Sequence, residues 1–183
     1  MPYLPQIRIL VPSAQVSSYT TGVLSLPSAK SAFIPLPVSR GLVAGGENDG
    51  AVFRNVIDYF DITTTGNAVD FGDLTLARSY LSGVSSSTRG AFGGEYNGSD
   101  GATIDYVTMA TLGNAVDFGD RITSRGVRAS CSNATRGIFG SGAGGTTDLD
   151  YITIASTGNA TDFGDLIAAT EQIAGLSNGH GGL

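Results

Sequence analysis

The stretch GNAVDFGD, residues Gly66–Asp73, recurs letter for letter at Gly113–Asp120, and a third copy at Gly158–Asp165 reads GNATDFGD. The copies begin 47 and 45 residues apart in a chain of 183 residues. A catalytic centre needs its residues only once. A polar, glycine-bearing phrase that is written three times therefore predicts a repeated architecture before it predicts a reaction.

Further motifs keep the same order around each copy of the phrase. An Arg-Gly pair opens each repeat, an Asp-Tyr pair precedes a run of β-branched residues, and a Ser-rich stretch closes it, although the last one contains only a single serine. The Arg-Gly pairs begin at Arg40, Arg89 and Arg136, and the acidic residues of the Asp-Tyr pairs are Asp58, Asp105 and Asp150. These anchors divide the chain into units 40–88, 89–135 and 136–183.

Each unit is predicted to form four short strands. They follow the Arg-Gly pair, the Asp-Tyr pair, the Asp-Phe-Gly-Asp phrase and the Ser-rich stretch, with Gly, Asn and Asp clustered between them, as is typical of strands and turns rather than helices. Thr-Gly-Asn-Ala tolerates positive φ and predicts the hairpin tip between the second and third strands. Phe71, Phe118 and Phe163 are then expected to fill an apolar layer between neighbouring sheets. The predicted fold class is all-β.

The N-terminal segment differs from the rest in its proline content. All six prolines lie at or before Pro37, and none follows. Because proline cannot donate to a β-ladder, residues 1–39 predict an extended arm in front of a sheet domain at 40–183. Its apolar runs leave two alternatives open: an edge strand that packs on its own domain, or an attachment segment that docks on a neighbouring subunit.

Composition excludes several classes of protein. A net charge of −6 argues against binding to duplex nucleic acid, which requires clustered cations. No apolar run approaches the roughly 20 residues of a membrane-spanning helix, and the N-terminus does not resemble a secretory signal. Cys131 is the single cysteine, which excludes an intrachain disulfide and favours a small buried strand residue. We expect a soluble protein without membrane insertion, made without export.

The repeated carboxylates are the best candidates for a chemical role. The pairs within the phrase are either calcium ligands or, as we favour, turn caps and solvent-facing groups; they are Asp70, Asp73, Asp117, Asp120, Asp162 and Asp165. Asp58, Asp105 and Asp150 are expected to accept bonds from turn amides or from Arg89 or Arg136 of a neighbouring unit. His180 is the only histidine and suits a surface role. No catalytic motif, phosphate loop or zinc signature is present, so neither catalytic residues nor a cofactor are predicted.

Four-stranded units of this length with a double glycine after the first strand resemble kelch-type propeller blades. Gly45-Gly46 and Gly93-Gly94 match the double glycine, whereas Gly140-Ser141 and the absence of tryptophan depart from the pattern. The phrase RGxFGG…IDYxTIAxTGNAxDFGDL is also similar to that of repeat proteins encoded by bacteriophages, notably of marine and cyanobacterial hosts. The resemblance covers Arg40 to about Leu166. It implies propeller-like blades and a component of the virion, assembled in the host cytoplasm.

The expected function is that of a non-enzymatic structural protein of the virion, in the capsid, neck or tail, attached to other virion proteins through residues 1–39. The alternative is a fibre-tip adhesin that binds a host surface glycan through loop residues such as Tyr96 and Asn97. Three units cannot close a propeller, which typically takes four to eight blades, so a homo-oligomer is expected. Two chains would supply six blades; a fibrous trimer is a different solution for the same repeats.

Overall fold

The computed structural model of the protein describes residues 39–142 and 144–179. Within these ranges it contains eleven strands in three antiparallel sheets and no helix, so the predicted all-β class is confirmed. The arm predicted at 1–39 lies outside the described residues except for Ser39, and so does His180.

The three sheets follow one another along the chain. The first has three strands in the order β1-β2-β3, with bounds Arg40–Ala44, Val56–Asp61 and Val69–Asp73. The second has the order β4-β5-β6-β7, with bounds Ser82–Ser85, Arg89–Tyr96, Asp100–Thr108 and Val116–Asp120. The third has the order β8-β9-β10-β11, with bounds Val127–Ser132, Arg136–Gly142, Thr146–Thr153 and Thr161–Thr170.

The sheets are out of step with the sequence units. The Ser-rich strand that ends one unit pairs with the Arg-Gly strand that begins the next, as in the pairing of Val84 with Ala91 and of Cys131 with Ile138. Only three residues separate these strands, and loops of that length connect antiparallel neighbours. The first and second units supply four strands each, as predicted, whereas the third supplies three, because its Ser-rich stretch forms no strand over residues 171–179. The second and third sheets each take their first strand from the preceding unit.

The repeated phrase lies where the hairpin prediction put it. Its Gly-Asn-Ala half ends the connection between the second and third strands of a unit, and its Asp-Phe-Gly-Asp half forms the third strand. Each third strand contains a β-bulge opposite the Asp-Tyr strand. The glycine at each bulge adopts a positive φ, of 149° at Gly72, 140° at Gly119 and 128° at Gly164, which explains why no other residue type stands there.

Two apolar clusters hold the sheets together. The first contains side chains from the first and second sheets, namely Ile57, Phe71, Leu74, Phe92, Val107 and Ala115. The second contains side chains from the second and third sheets, namely Val84, Ala91, Ile104, Phe118, Val127, Phe139, Ile152 and Ile154. The second sheet is covered on both faces, as the apolar character of both faces of its β6 strand indicates.

Serine hydroxyls join the first strands of the second and third sheets. The hydroxyl oxygens of Ser82 and Ser130 lie 2.6 Å apart, and the Ser132 hydroxyl donates to the carbonyl of Ser85 at 3.1 Å. Ser177, from the last Ser-rich stretch, donates its hydroxyl to the carbonyl of Ser132. The Ser-rich stretches therefore contact one another in series along the molecule.

Candidate assembly interface

The repeated phrase links successive units by hydrogen bonds. The Gly113 amide donates to the carbonyl of Phe71 at 2.8 Å, and the Ala115 amide donates to the carbonyl of Asp73 at 2.7 Å. The Asp73 amide in turn donates to the side-chain oxygen of Asn114 at 3.1 Å. The Gly-Asn-Ala half of one copy is thus bonded to the Phe-Gly-Asp half of the preceding copy, an arrangement that we call the GNA–FGD link.

The same link joins the second unit to the third. The Gly158 amide donates to the carbonyl of Phe118 at 2.7 Å, and the Ala160 amide donates to the carbonyl of Asp120 at 2.8 Å. The Asp120 amide donates to the side-chain oxygen of Asn159 at 3.1 Å. Both links have the same donors, acceptors and register, so the phrase carries two complementary halves of one interface.

Glycine at the bulge is required by close approach as well as by φ. A Cβ atom on Gly72 would lie 2.5 Å from the carbonyl of Gly113, and a Cβ on Gly119 would lie 2.6 Å from the carbonyl of Gly158. Contacts this short with backbone atoms do not occur around real Cβ atoms. The bulge glycine of each link therefore permits one backbone to lie directly against the other.

The phrase phenylalanines differ in their surroundings. Phe71 and Phe118 are 2% and 3% exposed and belong to the two apolar clusters, whereas Phe163 is 45% exposed. All three rings make the same edge contact with the tyrosine of their own sheet, at 5.8 to 6.1 Å between centroids. Phe163 therefore does not fill a layer between two sheets, because no further sheet follows it among the described residues.

A buried ion pair ties the connection after β3 to the second sheet. Nη1 of Arg78 lies 2.7 Å from Oδ2 of Asp105, and both side chains are completely buried. Asp105 also accepts the Thr75 amide at 3.0 Å and the Thr75 hydroxyl at 2.6 Å, while Arg78 donates from Nε to the carbonyl of Gly94 at 3.0 Å. These bonds satisfy a carboxylate and a guanidinium that would otherwise be costly to bury.

The equivalent carboxylate of the third sheet makes a related pair. Nε of Arg121 lies 3.1 Å from Oδ2 of Asp150, which also accepts the Ile122 amide at 3.2 Å. Burial raises the pKa of Asp150 above its usual value, and the nearby Arg121 guanidinium offsets part of that effect. Both pairs connect one unit to the next.

These pairs correct the arginine partners expected from the sequence. Turn amides do bind Asp105 and Asp150, but the arginines are Arg78 and Arg121, not Arg89 or Arg136. The sequence did not indicate these arginines because the two occupy different positions in the repeat. Arg78 is equivalent to Arg125 of the second unit, whereas Arg121 is equivalent to Leu74 of the first unit. Only the path of each connection decides which arginine reaches the carboxylate.

The Arg-Gly arginines bind the hairpin of the following unit instead. Nη1 of Arg40 donates to the carbonyl of Met109 at 2.7 Å, and Nη1 of Arg89 donates to the carbonyl of Ile154 at 3.2 Å and to that of the next residue at 2.9 Å. Each of the three guanidiniums lies over a tyrosine of its own sheet, at 5.1, 4.5 and 4.3 Å from the ring centroid for Arg40, Arg89 and Arg136.

The remaining carboxylates lie apart from these contacts. Asp58 is half-buried on the first sheet, which no described unit precedes. Asp162 accepts the Gly164 amide, and Asp165 accepts the hydroxyl of Thr147 at 2.9 Å. Across 39–142 and 144–179, no three acidic, cysteine or histidine side chains are grouped so that they could hold a metal ion. The calcium candidates that are exposed are Asp70, Asp117, Asp120, Asp162 and Asp165, and Asp73 is partly exposed.

Comparison with known proteins leaves the family open: no family model matches the chain, and no curated protein matches it. In the part of the chain that the structure describes, no helix has the length and apolar character needed to cross a membrane.

Proposed function

We propose that the protein is a non-enzymatic structural component of a bacteriophage virion, located in the capsid, neck or tail, which self-associates and attaches to other virion proteins through residues 1–39. The observation that carries the proposal is the use of the repeated residues: the phrase, the Arg-Gly arginines and two of the three Asp-Tyr carboxylates all serve contacts between units. A recurring motif that forms interfaces favours a role in assembly over a role in catalysis.

The resemblance of the phrase to bacteriophage repeat proteins supports the virion as the place of assembly. The propeller-like arrangement belongs to the same proposal, since each sheet packs on the next through an apolar cluster, a GNA–FGD link and a buried ion pair. Three such sheets are fewer than the four to eight of a closed propeller. A second chain would complete the set.

Residues 1–39 are proposed as the attachment segment because they combine the prolines with the apolar runs IRILV and AFIPLP. A proline-bearing apolar segment gains buried area by lying on a partner, and its prolines limit pairing within its own sheet. Arm and sheet domain would then have separate roles, with the arm binding another virion protein.

Recognition of a host surface glycan is the competing function. Sugar binding needs an accessible aromatic face and unpaired polar groups, and the loop residues suggested for it are already engaged. The Tyr96 ring contacts Phe53 and Tyr80 at 5.9 and 5.4 Å between centroids, and the Asn97 amide donates to Glu95 at 3.2 Å. These internal contacts favour the structural role.

The test is the protein content of purified particles. Mass spectrometry should find the chain in particles, and the full-length variant Ile9→Asp/Val11→Asp should be lost from them while keeping the circular dichroism of the wild type. Leu112→Asp, which places an aspartate on an exposed residue of the second unit, should still be incorporated. Absence of the wild-type chain from particles would overturn the proposal. Saturable binding of the purified protein to host cells, competed by free glycan, would support the adhesin instead.

A further inference from the structure

Three copies of the phrase form two GNA–FGD links, which leaves one half unmatched at each end. At the start, Gly66–Ala68 is exposed, and at the end the Phe163–Asp165 strand edge faces no following unit among the described residues. The equivalent halves inside the chain are all bonded to a neighbour. The chain thus presents both complementary surfaces of its own internal interface.

We propose that a second copy of this chain docks head to tail, in the register of the internal links. We call Ile62 together with Gly66–Ala68 the head face, and Arg136 together with Phe163–Asp165 the tail face. The head face of one copy binds the tail face of another. This inference deepens the self-association in the proposed function, and it specifies which surfaces meet and how.

The hydrogen bonds of the contact follow from the internal register. The Gly66 amide donates to the carbonyl of Phe163, and the Ala68 amide donates to the carbonyl of Asp165. The Asp165 amide donates to the side-chain oxygen of Asn67. Each residue is of the same type as its internal counterpart, so the distances of 2.7 to 3.1 Å seen within the chain are available here too.

The apolar part of the contact is present but uncovered. Phe163 is 45% exposed where Phe118 is 3% exposed, and Ala68 is exposed where Ala115 is buried. The edge contact with Tyr151, at 6.1 Å, already holds the Phe163 ring as its counterparts are held. A ring fixed in its bound orientation loses little freedom on docking.

The arginine contact has both of its parts as well. Arg136 lies over Tyr151 at 4.3 Å from the ring centroid, as Arg89 lies over its own tyrosine at 4.5 Å. Arg89 donates to the carbonyl of Ile154, and the residue at that place in the first unit is Ile62, which is 63% exposed. Arg136 of one copy therefore donates to the Ile62 carbonyl of the other.

The buried ion pair has no counterpart in this contact. Strand β11 continues to Thr170, and the place of Arg121 is occupied by Leu166, so Asp58 of a second copy receives no arginine from this strand. We therefore expect the contact between copies to be weaker than the contacts between units, with a population that depends on concentration. Head-to-tail contacts are heterologous: they close into a ring or extend as a chain.

The experiment uses two single substitutions in the full chain. Phe163→Asp puts a charge on the tail face. Ala68→Arg puts a bulky cation on the head face, at a position whose counterpart in the second unit, Ala115, is buried. Light scattering should find the wild type at multiples of 18.6 kDa and each variant as a monomer. Because each variant keeps one intact face, a mixture of the two should restore a species of twice the monomer mass. Leu112→Asp, on neither face, should associate as the wild type does.

Crosslinking tests the register independently of these variants. In a Cys131→Ser background, chains with Asn67→Cys and chains with Asp165→Cys should crosslink to each other and not to themselves. Asp73→Cys/Asn114→Cys, the internal counterpart, should crosslink within one chain and reports that the geometry is suitable. This second experiment decides the question if either charged variant fails to fold.

A monomeric wild type overturns the inference, and it is the result expected if residues 1–38 of the same chain cover the head face. Self-crosslinking of Asn67→Cys chains, or mixed variants that stay monomeric, would also overturn it. None of these results bears on the presence of the protein in particles, so failure of this inference and failure of the virion role are distinguishable.

Discussion

Truncating Phe118 to alanine should destabilise the protein far more than the same change at Phe163. Phe118 is 3% exposed and sits among side chains of two sheets, including Ile152 and Ile154. Its truncation removes nearly all of the ring's burial and leaves a cavity that two sheets enclose. We expect a loss of about 3–5 kcal/mol in the free energy of unfolding, the usual range for a buried phenylalanine.

Phe163 is the matched control because the phrase around it is nearly identical. Its ring makes the same tyrosine edge contact, at 6.1 Å against 5.8 Å for Phe118, but 45% of its surface is exposed. About half of the transfer free energy of a phenylalanine side chain is available to lose, and no enclosed cavity forms. We expect a loss of roughly 1 kcal/mol.

Urea unfolding followed by circular dichroism measures both costs. The protein should be diluted until light scattering reports a monomer, since docking of a second copy would stabilise the Phe163 side. An unchanged dependence on urea concentration would show that both variants unfold from the same native state. Equal costs for the two variants would refute the assignment of Phe118 to a layer between sheets and of Phe163 to an open face.

Three further predictions concern the links between units. Gly119→Ala and Gly164→Ala share the strain of a positive φ, but only the former meets a backbone carbonyl at 2.6 Å, so it should cost about 1–3 kcal/mol more by thermal unfolding. Arg78→Ala leaves Asp105 buried without its partner and should cost about 3–5 kcal/mol in urea unfolding, while Arg78→Met/Asp105→Leu should recover most of that loss. Because burial raises the pKa of Asp150 in the folded protein, its stabilising contribution is complete below its ordinary pKa of 3.8 and is lost as the pH rises through the raised value. The free energy of unfolding of the wild type minus that of Asp150→Asn should therefore fall as the pH rises through the acidic range. An increase in this difference would contradict the assignment.

The sequence by itself determined the fold class, the position of each hairpin and eleven of the twelve predicted strands. These features are local: alternation of apolar residues, glycine and asparagine clustered where the chain turns, and three copies of the same phrase. The phrase Gly113–Asp120 therefore predicts a hairpin tip followed by a strand, and the structure has both there. The repetition of that phrase also predicts that its main role is architectural.

Only the tertiary structure decided what each copy contacts. Phe118 and Phe163 stand in nearly the same phrase, yet one is buried and the other is half exposed, because burial depends on whether another sheet follows. The partner of Asp150 is Arg121, a position at which the first unit has no arginine, because the path of the connection brings its guanidinium to the carboxylate. Strand pairing decided where each sheet begins: the Ser-rich strand of one unit pairs, across a connection of three residues, with the Arg-Gly strand of the next, so the sheets are out of step with the sequence units.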